Sequence, residues 1–170
     1  MKLPIDLPTY QFEHLSQGHY LRGVLINEFS GLEKKIEKFI VSYFIDDKDK
    51  GNEMSNIILD RLTFEAKRTS FKAILDKRSV ENGFVKTKNN SYPESKFFDE
   101  IRRLNDHRIY FAHYVMVMPM AITDNVIGLA EFRDSVKIKW YTQEQFETLI
   151  GDIMIASNKI QALIDGLKST

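Results

Sequence analysis

The chain of 170 residues has no cysteine, no net charge and no long apolar run. The lack of cysteine excludes disulfides, thiolate metal sites and cysteine nucleophiles. The longest mainly apolar run without charge, residues 114–123, is interrupted by Pro119 and is far shorter than the roughly 20 residues that cross a bilayer. The first residues carry neither the apolar segment nor the small-residue cleavage site of a secretory signal. We therefore expect a cytoplasmic protein that does not associate with a membrane.

Charged residues are plentiful but balanced, with 24 lysines and arginines against 24 aspartates and glutamates. A balanced chain has no global basic field that would attract nucleic acid non-specifically, so a polyanion would have to be met by a local patch. Hydrophobic residues make up 43% of the chain and charged residues 28%, which is typical of a globular protein. The length suits a single domain over residues 1–170.

Hydrophobic periodicity predicts four helices. The first follows an irregular arm over residues 1–19, the second begins at a cap on Ser55, and the last begins at a capping box formed by Thr142 and Gln145. The predicted ranges of the first three helices are about 20–44, 55–77 and 93–116.

The segments between the helices differ in character. Residues 46–53 are rich in aspartate and contain Gly51, which predicts a solvated loop. Residues 126–132 and 136–141 are rich in β-forming side chains and predict a small hairpin. The expected fold is therefore all-α: an antiparallel four-helix bundle with a small β-hairpin insert before the last helix.

The third predicted helix carries an arginine inside its apolar stripe. Arg108 takes the one missing place in a pattern with alternating spacings of four and three residues, whose members are Phe97, Ile101, Leu104, Phe111 and Val115. A guanidinium stays charged, and burying it without a partner costs on the order of 3–5 kcal/mol. A carboxylate, a phosphate or a partner chain must therefore meet it. One alternative is a buried or interfacial ion pair with an acid of the second helix such as Glu65 or Asp60.

Two further polar side chains share an edge of this helix with Arg108. At 100° per residue, His113 lies about 140° around the helix from Arg108, and Asn105 lies between them at about 60°. Asn105 and His113 are eight residues apart and follow nearly the same line along the helix. All three side chains could contact one ligand, and a two-fold axis near this edge would bring two copies of each into one cleft.

We expect different roles for the other polar residues of this helix. Arg102 belongs to the best local basic patch, together with Arg103, Arg108 and the nearby Lys96. His107 points about 100° away from Arg108 and is expected to meet solvent. His14 and His19 lack the spacing of zinc ligands, and we predict no metal and no cofactor.

Arg108, four intervening residues and then His113, with Ala112 directly before the histidine and Leu104-Asn105 upstream, resemble the R-x(4–6)-H motif of HEPN domains. These domains are compact four-helix bundles, usually dimeric, and many are metal-independent endoribonucleases of toxin–antitoxin, CRISPR and phage-defence systems. The resemblance covers the helical outline of the whole chain and the late placement of the motif. It implies a homodimer, RNA as the substrate, and an antitoxin or other regulatory protein as a partner.

The resemblance also implies roles for single residues. His113 would be the acid or base acting on the ribose 2′-OH or the leaving 5′ oxygen, and Arg108 would stabilise the charge of the phosphorane. These roles suit a side chain that titrates near neutrality and a guanidinium that binds phosphate oxygens in pairs. Asn105 and Arg102 are the candidate substrate-binding residues.

The chain departs from the family pattern at Ile109, because active members commonly have a polar residue, often asparagine, directly after the arginine. Asn105, one turn earlier, is a candidate substitute. The alternative function is a non-catalytic HEPN-like dimerisation or nucleotide-binding module in which Arg108 is structural. A plain adaptor bundle without a ligand is the third hypothesis.

Overall fold

The computed structural model describes residues 9–86, 92–117 and 125–167. Its helices are α1 (Thr9–Phe44), α2 (Lys48–Ile57), α3 (Phe64–Glu81), α4 (Ser95–His113) and α5 (Gln143–Leu167), with a 3₁₀ turn at Leu59–Arg61. Its strands are β1 (Val115–Val117), β2 (Asn125–Phe132) and β3 (Val136–Thr142), which form an antiparallel sheet in the order β1-β2-β3. The described residues are thus mostly helical with one small sheet. None of their helices is long and apolar enough to span a membrane.

The long helix α1 packs against α5, α4, α3 and α2. Five of its buried residues, spaced by three and four, are each at most 1% exposed: Leu25, Phe29, Leu32, Ile36 and Phe39. The Phe71 ring of α3 lies 4.8 Å from that of Phe39 and 5.5 Å from that of Phe98 on α4. The aromatic part of the core therefore lies where α1, α3 and α4 meet.

The first helix begins earlier than its periodicity indicates. Residues 9–19 were expected in an irregular arm, but α1 already starts at Thr9. Gly18 is buried against β1, where an added Cβ would lie 2.6 Å from the sulfur of Met116. Glycine weakens a helix locally, but at this position it permits close packing of α1 against the sheet. The hydrophobic pattern around Gly18 does not indicate this contact.

The aspartate-rich segment forms a helix, so the predicted loop is wrong over residues 48–53. The Asp47 side chain caps α2 by accepting hydrogen bonds from the backbone N–H groups of Asp49 and Lys50, at 3.0 and 2.9 Å. Gly51 is buried, and a Cβ at this position would lie 3.0 Å from Val41 of α1. The glycine therefore allows close packing between α2 and α1 where the sequence indicated a helix break.

The predicted second helix is two helices. The chain leaves α2 at Ile57, makes the 3₁₀ turn that buries Leu59, and enters α3 after Thr63. The cap is Thr63, whose Oγ1 accepts a hydrogen bond from the N–H of Ala66 at 3.3 Å, and Ser55 lies inside α2 instead. The turn between α2 and α3 buries Leu59 in the core. The hydrophobic period continues through this turn, so the sequence did not indicate the break between the two helices.

The helix with the motif ends three residues before its predicted end. Tyr114 has extended backbone angles, and Val115 to Val117 pair with β2 in the register Val115↔Ala130 and Val117↔Gly128. Val115, expected in the buried stripe, is 54% exposed, whereas Phe97, Ile101, Leu104 and Phe111 are buried as predicted. His113 is therefore the last residue of α4.

The hairpin and the start of the last helix are confirmed. Strands β2 and β3 pair from Phe132↔Val136 to Asn125↔Thr142, with an irregularity between Asn125 and Ile127. Thr142 and Gln145 form the capping box: the Thr142 N–H donates to Gln145 Oε1 at 3.1 Å, and the Gln145 N–H donates to Thr142 Oγ1 at 3.2 Å. The fold prediction is thus correct in its helical character and its hairpin, while the described residues add a helix and a third strand.

Candidate functional site

Arg108 lies half-buried on α4, between the buried residues Leu104 and Phe111. The centre of its guanidinium is 6.0 Å from the centre of the Phe29 ring on α1, and the Phe29 ring is 4.8 Å from that of Phe64 at the start of α3. The cation therefore sits over aromatic side chains where α1, α3 and α4 meet. Within the described ranges, no carboxylate lies within 4.0 Å of this guanidinium.

The two acids considered as internal partners of Arg108 bind other cations. Glu65 accepts two hydrogen bonds from Arg68, at 2.9 and 2.6 Å, and these bonds lower the pKa of its carboxyl. Asp60 lies 2.6 Å from the ammonium of Lys34. The predicted alternative of an ion pair between Arg108 and either acid is therefore wrong.

Asn105, one turn before Arg108, carries an unsatisfied polar atom. Its Oδ1 is buried and has no hydrogen-bond partner among the residues that the structure describes. Most buried polar atoms are paired, because leaving one unpaired costs about 1–3 kcal/mol. A ligand or a partner chain with an N–H or O–H donor could satisfy this oxygen.

A second arginine, which the sequence did not indicate, contacts the C-terminal end of α4. The Nη2 of Arg22 on α1 donates a hydrogen bond to the carbonyl oxygen of Ala112 at 2.9 Å. A cation is favoured there because the last carbonyls of a helix carry a partial negative charge. The contact joins residues 90 positions apart, so no local spacing could have indicated it.

The remaining predicted site residues are exposed. His113 is the terminal residue of α4 and Arg102 lies nearer its start, and both side chains are accessible to a large ligand. Arg103, expected in the same basic patch, is instead bound to Glu100 and to Asp152 of α5. The edge of α4 thus offers Arg102, Asn105, Arg108 and His113, whereas Arg103 serves to join two helices.

His107 does not point into open solvent as predicted. Its ring is half-buried, and Nδ1 lies 2.9 Å from the hydroxyl of Tyr141 on β3. Burial, reinforced by the positive charges of Lys139 and Arg103, lowers the pKa of His107 to about 4. The imidazole is therefore neutral near pH 7. A sequence signal was present, because His107 lies three residues after Leu104 and four before Phe111.

A cavity of about 460 Å³ lies beside His107, between α4, β3 and the first turns of α5. The ammonium of Lys139, which also lines it, is 4.3 Å from the centre of the Tyr110 ring, and burial lowers the pKa of this lysine. Glu144 and Asp152 balance the charge of the lining. Within the described chain, Arg108 and His113 do not line this cavity, so the two features are separate.

Comparisons with protein-family models, with curated proteins and with solved structures found no match for this chain. The site is therefore interpreted from its own residues.

Proposed function

We propose that the protein is a metal-independent endoribonuclease that cleaves single-stranded RNA, with Arg108 and His113 as its catalytic residues. One observation carries the proposal. The Arg108 guanidinium lies in an apolar seam beside Phe29, and the two acids expected as its partners, Asp60 and Glu65, bind Lys34 and Arg68 instead. Because a half-buried cation without a carboxylate favours binding of an anion, a phosphodiester is the ligand that best suits this position.

The neighbours of Arg108 support recognition of a nucleotide. The buried Oδ1 of Asn105 can accept a hydrogen bond from a ribose hydroxyl or a base amino group. Arg22, held on the last turn of α4, adds a second positive charge near the proposed phosphate position. The exposed guanidinium of Arg102 would bind the RNA backbone further along the helix.

The chemistry follows from these side chains. A base removes the proton of the 2′-OH, the 2′ oxygen attacks the adjacent phosphorus, and the bond to the 5′ oxygen breaks as that oxygen takes up a proton. The products are a 2′,3′-cyclic phosphate and a 5′-hydroxyl. His113 serves as the acid or base, and Arg108 stabilises the negative charge of the phosphorane. DNA lacks the 2′-OH and would not be cleaved.

The proposal also covers the fold, the oligomeric state and the biological role of the protein. The chain would be an antiparallel four-helix bundle of the HEPN type that acts in the cytoplasm as a homodimer, in which two copies of Arg108 and His113 face one cleft. A toxin or phage-defence role would add an antitoxin or another regulatory protein as a partner. The separation of the two side chains, about 140° around the helix and about 7.5 Å along it, favours a cleft to which both copies contribute.

The test is cleavage of single-stranded RNA by the purified chain in excess EDTA, with single-stranded DNA of the same sequence as the second substrate. We expect RNA fragments ending in 2′,3′-cyclic phosphate and no DNA cleavage. Arg108→Ala and His113→Ala should each lose at least about a hundredfold in rate, the usual effect of removing a general acid or a charge-stabilising donor. Circular dichroism should remain native in both variants.

The matched control is Lys48→Ala, which removes an exposed positive charge from the first residue of α2. It should leave the rate unchanged, because it lies outside the Arg108 edge. Equal rates in wild type and His113→Ala would contradict the proposal, as would cleavage that is abolished by EDTA.

The second candidate is a non-catalytic HEPN-like dimerisation or nucleotide-binding module. Ile109 favours it, since this half-buried side chain offers no polar atom directly after the arginine. A mononucleotide would then raise the melting temperature without being turned over, and Arg108→Ala would abolish that shift. The cleavage assay distinguishes the two candidates.

A further inference from the structure

The cavity beside His107 lies between two walls of opposite charge. One wall consists of α4 and β3 and carries the cations Arg103 and Lys139. The other is the N-terminal part of α5, which carries the acids Glu144 and Asp152. These two positive and two negative charges balance, so the cavity has no net charge that would attract a polyanion.

One pair of opposite charges joins the two walls by direct contact. The guanidinium of Arg103 on α4 binds the carboxylate of Asp152 on α5, and it also binds Glu100 on its own helix. The charges of this pair therefore satisfy each other. A ligand must find its partners elsewhere in the cavity.

The other pair, Lys139 and Glu144, lines the same cavity without contact. The Lys139 ammonium lies over the ring of Tyr110, 4.3 Å from its centre, and no carboxylate in the described part of the chain is within 4.0 Å of it. Glu144 lies in the first turn of α5, where the helix dipole favours a negative charge. Each charge is thus stabilised by its own surroundings, and the space between them is open.

His107 adds a polar atom to the wall that carries Lys139. Its Nδ1 meets the Tyr141 hydroxyl, and Nε2 has no hydrogen-bond partner among the residues that the structure describes. When the hydroxyl donates to Nδ1, the single proton of the neutral ring lies on Nε2. The imidazole can then donate a hydrogen bond to an anionic group that is bound by Lys139.

The dimensions of the cavity favour a small ligand with both charges. A volume of about 460 Å³ corresponds to a sphere about 10 Å across and lies in the lower part of the usual range of ligand pockets, about 300–1,000 Å³. The ammonium nitrogen and carboxylate oxygens of an α-amino acid are three bonds, or about 3 Å, apart. With a charge-assisted hydrogen bond of about 2.8 Å at either end, such a ligand joins groups about 8–9 Å apart.

We propose that this cavity binds a free α-amino acid, whose carboxylate lies beside Lys139 and His107 and whose ammonium group lies beside Glu144. A phosphate would meet the carboxylates of the α5 wall, and a simple amine would meet the cations of the opposite wall. Like charges placed together are unfavourable. A zwitterion meets an opposite charge at each end, so both walls contribute to specificity.

The inference stands apart from the proposed ribonuclease activity, because neither Arg108 nor His113 lines this cavity. The experiment is differential scanning calorimetry of the full chain with each of the standard L-amino acids at about 10 mM, ten times a millimolar dissociation constant. We expect at least one of them to raise the melting temperature by about 3–5 °C. The N-acetyl and the amide derivatives of the same amino acid each lack one charge and should give no shift.

Trp140 provides a second readout of binding. It lines the cavity, it is the single tryptophan of the chain, and its ring lies across Gly128, where an added Cβ would overlap the indole. Binding of a non-aromatic amino acid should change the fluorescence of this tryptophan. The dissociation constant from that titration should agree with the value from isothermal titration calorimetry.

Two variants test the assigned charges. Lys139→Met and Glu144→Gln should each raise the dissociation constant at least about tenfold, because each removes a charge-assisted hydrogen bond. The matched control is Lys137→Met, which removes a lysine of the same strand that does not line the cavity. It should bind like the wild type, and so should Arg108→Ala. Circular dichroism checks the fold of each variant, and the two derivatives test the same charges on the wild type.

Three results would overturn the inference. The first is a melting temperature that no amino acid changes. The second is equal binding of the free amino acid and its N-acetyl or amide derivative, or equal binding by the wild type and both charge variants. The third is a shift caused by a mononucleotide and lost in Lys139→Met, which would assign the cavity to a phosphate.

Discussion

Replacing Arg108 with methionine removes the charge and keeps an unbranched side chain, so the variant separates the role of the cation from that of its aliphatic stem. The guanidinium lies 6.0 Å from the centre of the Phe29 ring, and no carboxylate of the described residues lies within 4.0 Å of it. A cation–π contact of this kind contributes about 0.5–1 kcal/mol, and a half-buried methionine regains about the same by burial. We therefore expect the free energy of unfolding to stay within about 1 kcal/mol of wild type while RNA cleavage is lost.

Lys67 offers the matched comparison, because it is a buried cation with partners of its own. Its ammonium lies 2.5 Å from Glu33 and 2.6 Å from Glu37, and the side chains of Lys67 and Glu37 are 5% and 4% exposed. Burial alone would lower the pKa of Lys67, but the hydrogen bonds to both glutamates outweigh it and raise that pKa. Lys67→Met leaves two carboxylates without their cation and should cost about 3–5 kcal/mol.

Urea unfolding monitored by circular dichroism measures both variants. With a slope of about 2 kcal/mol/M, the midpoint should fall by about 1.5–2.5 M in Lys67→Met and by at most about 0.5 M in Arg108→Met. A loss of about 3 kcal/mol or more in Arg108→Met, at an unchanged slope, would refute the reasoning. It would mean that the fold itself neutralises this guanidinium, as it neutralises Lys67.

Two further predictions concern the sheet and its contact with α4. Because the pKa of His107 is lowered to about 4 from an ordinary 6.5, the unfolded chain binds more protons between these values, and stability should fall as the pH drops through that window. We expect a loss of about 1–2 kcal/mol of unfolding free energy, a figure reduced because the ring is partly exposed. Urea unfolding at several pH values measures this loss, and His107→Gln should flatten the dependence of stability on pH. A variant with the same pH dependence as the wild type would contradict the burial of the ring. Gly128→Ala should displace the ring of Trp140, costing about 1–3 kcal/mol and shifting the fluorescence of this single tryptophan to the red. Gly31→Ala, at an exposed helical position with open space around it, should instead stabilise the chain by about 0.5–1 kcal/mol, and equal effects of the two substitutions would argue against the packing described.

The features that the sequence predicted correctly depend on residues a few positions apart. The three–four spacing of Leu104, Arg108 and Phe111 placed the arginine in the buried stripe, and the pair Thr142 and Gln145 marked the start of α5. These signals are local, because a helix brings residues three and four apart together whatever surrounds it. They were therefore readable without knowledge of the fold.

The candidate site was only partly predictable for the same reason. The sequence indicated that Arg108, His113, Asn105 and Arg102 lie on one helix. It did not indicate that Glu65 and Asp60 would bind other cations and leave Arg108 without a carboxylate. Arg22 reaches Ala112 across 90 positions, and His107 meets Tyr141 across 34. Such pairs form because packing of α1 and β3 against α4 brings them together, and no spacing in the sequence encodes that distance.

The end of α4 shows what the sequence determines and what the tertiary structure decides. The amphipathic period runs on past His113, so the sequence by itself determined that a helix with an embedded arginine would form there. Tertiary structure decided that Val115 to Val117 leave the helix, because their backbone groups pair with residues 128–130 of β2. Helical hydrogen bonds are satisfied within one turn, whereas a strand requires a partner whose position only the folded chain supplies.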